Sequence, residues 1–205
     1  MSVPVIAVLR AAHADRYLPV IEALASGGIT SVELTMSTPG TLEAFAAIRD
    51  AVDPTVEIGV GTVTSGAQVA AAVEVGASYI VTPVTDLEVI AAAVAANIPI
   101  YPGGLTPSEL FRGWQAGARA VKLFPASTVG PGYISHLRGP FPDIEVVPSG
   151  GISIDDAADW IDAGAYAVSV GGPLLGDALK GGSLDELTAR CRHLASSLER
   201  TAVIR

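Results

Sequence analysis

The 205-residue chain has a single cysteine, Cys191, which excludes an internal disulfide framework and suits a reducing compartment. Positive charge is scarce: 12 Lys and Arg stand against 21 Asp and Glu, a formal net charge of −9, and the cations form no basic stripe. The electrostatic footprint of a nucleic-acid or anionic-membrane partner is therefore missing. The three histidines, His13, His136 and His193, lack metal-ligand spacing, and no His/Asp/Glu/Cys cluster is visible. No catalytic metal is expected. Long apolar runs are also absent. Residues 89–105 carry no charge, but Asn97, Pro99, Pro102 and the Gly103-Gly104 pair break them too often for a membrane-spanning helix. The opening MSVPVIAVLR has no basic segment ahead of an apolar one, so it is not read as a secretory signal. These absences describe a soluble, cytoplasmic protein.

What the chain does have is Ala, Val, Ile and Gly in a repeating order. Short β-branched runs at 3–9, 31–35, 56–60, 79–82, 98–101, 120–124, 145–148 and 167–170 read as strands. Helical stretches lie between them at 14–26, 40–51, 65–75, 86–96, 107–116, 132–137 and 154–163, and a last helix spans 184–200. Nearly continuous apolar strands point to a parallel sheet covered by helices. ASGGITSVEL, VEVGASYIVT, WQAGARAVKL and IDAGAYAVSV repeat one connection: a helix end, a glycine suited to the left-handed position, then a strand. The expected fold is a single-domain (β/α)8 barrel over residues 1–205, with an open doubly wound sheet as the alternative. The barrel is preferred because the unit repeats eight times and the first loop lacks a GxGxxG turn.

Within this pattern two charges stand out. VELTMSTP places Glu33 in an otherwise apolar strand, and AVKLFPAS does the same with Lys122. Strand residues alternate between faces. With Val32 and Leu34 toward the helices, Glu33 faces the barrel; with Val121 and Leu123 toward the helices, so does Lys122. A buried structural ion pair would explain both, yet apolar residues often serve as well at such positions. Removal from water in general favours a neutral amine and a protonated carboxyl, the states a nucleophile and an acid/base need. Barrel sites lie at the carboxyl ends of strands, which adds Arg10, Thr35, Gly61-Thr62, Thr82-Pro83, Pro102-Gly103 and Ser149 to the candidates, and Phe124 shares the barrel face of Lys122. Two glycine turns complete the set. PSGGIS contributes Gly150 and Gly151 and is read as opening a helix near Ser153, and VGGPLL contributes Gly171 and Gly172. Loops after the seventh and eighth barrel strands commonly hold phosphate through backbone N–H groups, although tight turns alone could account for the glycines. Trp114 and Trp160 read as packing residues, Cys191 as a packed thiol, and Asp185-Glu186 after Ser183 as helix capping.

PVIAVLR, VELTMSTP, GVGTV, VTP, YPGG, VKLFPAS, GPGYISHLRGPFPDI and PSGGIS, in this order, resemble the class I 2-keto-3-deoxy-phosphogluconate/4-hydroxy-2-oxoglutarate aldolases over nearly the whole chain. The resemblance implies a homotrimeric barrel that uses a Schiff-base lysine and no metal or other cofactor. It implies that Lys122 forms the imine with a small keto acid and that Glu33 shuttles protons. Thr62, Pro83, Phe124 and Ser149 would line the pyruvate end, and the four turn glycines would hold phosphate. Expected products are pyruvate and glyceraldehyde 3-phosphate, with 4-hydroxy-2-oxoglutarate as a further substrate. Two positions depart from the phosphogluconate type. Ser37 stands in place of an arginine, and MSTP with Arg10 resembles the phosphogalactonate branch, which makes Arg10 the expected anion clamp. Pro173 stands where many members have serine, which removes one donor after strand eight. Alternatives are an aldolase of unphosphorylated keto acids, a non-catalytic sugar-acid binder, and a different phosphate-binding barrel enzyme such as an epimerase or a thiamine-phosphate-synthase-like transferase.

Overall fold

The computed structural model describes residues 3–203, with side-chain surroundings through Leu198. Among the described residues nine short strands alternate with helices, except that the fifth and sixth follow one another directly. They are β1 (Val5–Leu9), β2 (Ser31–Thr35), β3 (Glu57–Gly61), β4 (Ile80–Val81), β5 (Ile100–Tyr101), β6 (Gly103–Gly104), β7 (Val121–Leu123), β8 (Val146–Pro148) and β9 (Val168–Val170). All the pairings are parallel. One sheet runs β5-β4-β3-β2-β1-β9, and a second runs β6-β7-β8.

The expected fifth strand, 98–101, is found as β5, and a further short strand, β6, follows it beyond Pro102 and adds one to the sequence count. Pro102, between β5 and β6, has no N–H and interrupts the ladder there. Its carbonyl still accepts from Lys122 N at 2.8 Å, and Ile100 O accepts from Arg119 N at 3.0 Å. At the other edge Tyr166 N donates to Val146 O at 2.8 Å, and a parallel bridge joins Ser149 to Ser169. Hydrogen bonds thus connect the two sheets at both junctions.

The helices are α1 (Tyr17–Ser26), α2 (Thr41–Ala51), α3 (Gly66–Glu74), α4 (Leu87–Ala95), α5 (Pro107–Gln115), α6 (Gly132–Arg138), α7 (Ala157–Asp162), α8 (Gly172–Leu175) and α9 (Leu184–Val203). Local chemistry sets several starts. Asp86 accepts from Glu88 N and Val89 N at the head of α4, and Thr106 with Glu109 forms a capping box on α5. Each such cap contributes about 1 kcal/mol. The repeated glycines Gly28, Gly76, Gly117 and Gly164 all have φ between 84° and 99°, as their connections demand.

Two expectations at helix starts need correction. The helix after PSGGIS begins at Ala157, because the Ser153 hydroxyl accepts from Asp156 N at 3.0 Å and holds a turn first. VGGPLL does more than end a strand, since α8 starts within it. Pro173 fits the first turn of that helix, where no intrahelical N–H is required.

Strand alternation divides the interior. Val5, Ala7, Leu9, Val32, Leu34, Val121, Leu123, Val168 and Val170 pack into the main core with the helices. Ile6, Tyr79, Val81, Ala120, Val147 and Ala167 form a second cluster on the opposite strand faces. Trp160 and Cys191 are buried in the main core, Trp114 is partly buried against it, and Ser183 caps α9 through Glu186 N. Burial pushes the Cys191 thiol up to about 11, which suits a packed rather than a reactive residue.

Candidate active site

The inner strand faces become polar toward their carboxyl ends, where Glu33, Thr35, Lys122, Ser149 and Ser169 are all buried. Glu33 projects from β2 between Val32 and Leu34, both fully buried on the helix side. Its room comes from the neighbouring strand: a Cβ on Gly61 would collide with the Glu33 carboxyl group. Only 2% of Glu33 is exposed, and its Oε2 has no hydrogen-bond partner among the described residues. Burial raises its pKa above the ordinary value, opposed by the charges of Lys122 and then Arg10.

Lys122 sits on β7 beside Ala120 of the inner cluster and is 9% exposed. Its Nζ lies 5.3 Å from the centroid of the Phe124 ring, within cation–π range. Among the described residues no ion pair of 4.0 Å or less joins Lys122 to Glu33. The two therefore do not form the tight structural pair that would explain their burial without chemistry.

A cavity of about 230 Å³ opens over these groups. Every residue to which the resemblance gives a role lines it: Lys122 and Glu33, then Arg10, Thr62, Pro83, Phe124 and Ser149, then Gly150, Gly151, Gly171 and Gly172; Thr35, Gly61, Thr82, Pro102 and Gly103, also read at strand ends, do not. Thr62 has φ of +62°, an uncommon left-handed conformation for a β-branched residue and of the kind that concentrates at functional sites. Gly150 and Gly151 are consecutive residues with φ of +86° and +77°, and a Cβ on Gly150 would press against the Phe124 ring at 2.8 Å. Larger residues would strain this turn and crowd the cavity wall.

Ser37 is exposed, lies outside the cavity lining, and its hydroxyl donates to Thr35 Oγ1 at 3.2 Å. Sequence reasoning missed Ser169. Its Oγ accepts from Ser149 Oγ at 3.1 Å, and both residues line the cavity. The signal was available, since a serine between Val168 and Val170 repeats the alternation that marked Lys122. Pro173 also lines the cavity, and Val8 and Ile152 complete the wall as apolar surface that no polar contrast marks.

Among the described residues no group of three or more His, Cys, Asp or Glu is placed to hold a metal, and no helix is long and apolar enough to cross a membrane. Fold and site together define an α/β enzyme with an amine and a carboxylic acid in one cavity at the strands' carboxyl ends. The chain belongs to the KDPG and KHG aldolase family, whose model matches residues 1–190. It is 38% identical over 174 residues to a 2-dehydro-3-deoxy-6-phosphogalactonate aldolase of Escherichia coli strain K12, covering 84% of this chain and 85% of that protein. A native KDPGal structure superposes with a TM-score of 0.91 at 33% identity, covering 99% and 98% of the two chains. The KDPG aldolase of Legionella pneumophila, solved with pyruvate captured as a covalent carbinolamine, matches with a TM-score of 0.85 at 29% identity, covering 94% of each chain.

Proposed function

We propose that the chain is a class I aldolase that cleaves 2-keto-3-deoxy-6-phospho-sugar acids to pyruvate and glyceraldehyde 3-phosphate, and also accepts 4-hydroxy-2-oxoglutarate. The observation that carries this reading is the buried Glu33 carboxyl, with one oxygen unpartnered, in the same cavity as Lys122. The Lys122 amine adds to the C2 ketone, and Glu33 protonates the departing hydroxyl, leaving an iminium ion. Glu33 then takes the proton of the C4 hydroxyl. The C3–C4 bond breaks, its electron pair enters the enamine, and the C4 oxygen becomes the aldehyde. Protonation at C3 and hydrolysis release pyruvate and the amine. No metal or other cofactor is needed in this scheme.

Thr62, Pro83, Phe124 and Ser149 hold the pyruvate half, while Gly150, Gly151, Gly171 and Gly172 hold the phosphate. Fixing the remote phosphate orients the bond to be broken and contributes to the rate. The same reading makes the nine strands one closed (β/α)8 barrel in a single domain, with β5 and β6 as halves of one strand. A pyruvate-release assay on phosphorylated and unphosphorylated 2-keto-3-deoxy acids tests the activity; no pyruvate from either would reject it.

Arg10 supplies the anion clamp. A guanidinium makes charge-assisted, bidentate bonds that an exposed serine outside the cavity cannot replace. Arg10→Ala is expected to raise KM and to lower kcat/KM about 10-fold to 1,000-fold, from roughly 1.5–3 kcal/mol for a charged hydrogen bond plus desolvation. Ser37→Ala is expected to cost far less. Equal losses would move the clamp from the first loop to the second.

The protein works in the cytoplasm as a homotrimer. Val73, Val84, Leu87 and Val94 are exposed on and around α3 and α4, an apolar surface that a second copy can cover. Light scattering should give three times the 20.8 kDa chain mass. A monomer across micromolar concentrations would reject the trimer.

A further inference from the structure

A second cavity, of about 540 Å³, adjoins the first. Its walls come from the loop after β1 and from the segment between Gly172 and Lys180, and it shares Val8, Arg10 and Gly172 with the catalytic cavity. Apart from Arg10 and Gly172, none of its lining residues has a part in the cleavage described above. Its charge is unlike the rest of the molecule. Arg10, Arg16 and Lys180 line it, three of twelve Lys and Arg in a chain of net charge −9. The chain has two lysines, and each lines one of the two adjoining cavities.

Asp15 is the acid in this wall, and it is engaged by His13 at 3.6 Å and Arg16 at 3.9 Å. Arg10 and Lys180 form no ion pair within 4.0 Å among the described residues. The groove belongs to the first and last strand–helix units, whereas the exposed apolar residues proposed for subunit contact lie on the third and fourth.

We propose that this groove is a second anion subsite, which takes the terminal phosphate of an acceptor aldehyde longer than three carbons. The inference rests on the aldolase reading for its chemistry. With the acceptor carbonyl facing the pyruvate enamine on Lys122, a three-carbon phosphate stays at the glycine turns. A four- or five-carbon chain instead passes Arg10 and brings its phosphate to Lys180, Arg16 and His13. Bond formation is the reverse of the cleavage: the enamine C3 attacks the aldehyde carbon, and the aldehyde oxygen takes a proton from Glu33.

The test compares aldol addition of pyruvate to glyceraldehyde 3-phosphate, erythrose 4-phosphate and unphosphorylated erythrose, in the wild type and in Lys180→Glu. Lys180 is exposed, so the substitution leaves the core intact. In the wild type, erythrose 4-phosphate should be preferred over erythrose. In Lys180→Glu, kcat/KM for erythrose 4-phosphate should fall about 3-fold to 10-fold at low ionic strength, the scale of an exposed charge pair counted twice because the reversal replaces an attraction by a repulsion, with the loss shrinking as salt is added. Rates with glyceraldehyde 3-phosphate and erythrose should change less than about 2-fold on the same scale. Equal changes for all three acceptors, or none, would overturn the subsite. Calorimetric binding of erythrose 4-phosphate without pyruvate reads the groove independently of turnover. If catalysis is absent but this binding weakens in Lys180→Glu, the aldolase reading fails and the anion site stands; unchanged binding rejects the site.

Discussion

Borohydride added to the protein with pyruvate is expected to leave a reduced pyruvyl group on Lys122 and to abolish aldol cleavage irreversibly. Hydride delivered to the iminium carbon turns the C=N bond into a secondary amine, which water cannot hydrolyse. With two lysines in the chain, peptide mass mapping needs only to distinguish Lys122 from Lys180. Lys122→Ala should lose both the label and roughly 10⁴-fold or more of kcat, the scale on which covalent nucleophiles are lost. Lys122→Arg should behave like Lys122→Ala, because a guanidinium keeps the charge but forms no imine under these conditions. Cleavage retained in Lys122→Arg would make the charge, not the amine's nucleophilicity, the active property. A label on Lys180 alone would move the chemistry to the adjoining groove, and no label at all would reject the Schiff base. EDTA should alter neither labelling nor turnover.

The placement of Lys122 was legible in the sequence because strands encode it twice. Period-two alternation sets which face it occupies, and an apolar context tells that the face is buried. The same rule places Glu33, and it would have found Ser169 had serine been weighed with the charged residues. The cavity could be read from strand ends alone, since a parallel sheet with helices on one side brings those ends together whatever the loops do.

The details that escaped have local causes. The short strand beyond Pro102 was not foreseen, because Pro102 breaks the ladder by one missing N–H while the chain continues in the same direction. Four residues of helix at Gly172–Leu175 are too few to show a 3.6-residue period. The late start of α7 depends on one hydroxyl, that of Ser153, holding a turn. The unpartnered Glu33 oxygen and the second cavity depend on three-dimensional packing, for which one-dimensional patterns carry no signal. Pro173 shows both limits at once. Its missing donor was legible, but its fit to the first turn of a short helix was not.

Glu33→Gln separates catalysis from folding, because the two should move in opposite directions. Glutamine keeps the shape and the carbonyl acceptor but cannot carry a proton between substrate atoms. Losing a positioned acid/base costs about 10²-fold to 10⁴-fold, and the loss should appear in kcat, since the keto acid still reaches Lys122. Stability should respond differently. Burial holds the Glu33 carboxyl above its ordinary value, despite the opposing charges of Lys122 and Arg10. Between the ordinary glutamate value of about 4.3 and the higher folded one, the folded chain keeps a proton that the unfolded chain has released. Folding stability therefore carries no penalty from Glu33 below that window and falls as pH rises through it. Glutamine does not titrate and escapes the fall. The difference in Tm, variant minus wild type, should accordingly grow as pH rises above about 4, with the unfolded-state glutamate value setting its onset. Melting curves of the two proteins across that range provide the measurement. A difference independent of pH would mean that Glu33 is not desolvated in the free enzyme, and a variant with full kcat would remove it from the proton path. Loss of turnover in a protein that becomes relatively more stable as pH rises would identify a carboxyl group whose burial costs folding stability and serves the chemistry.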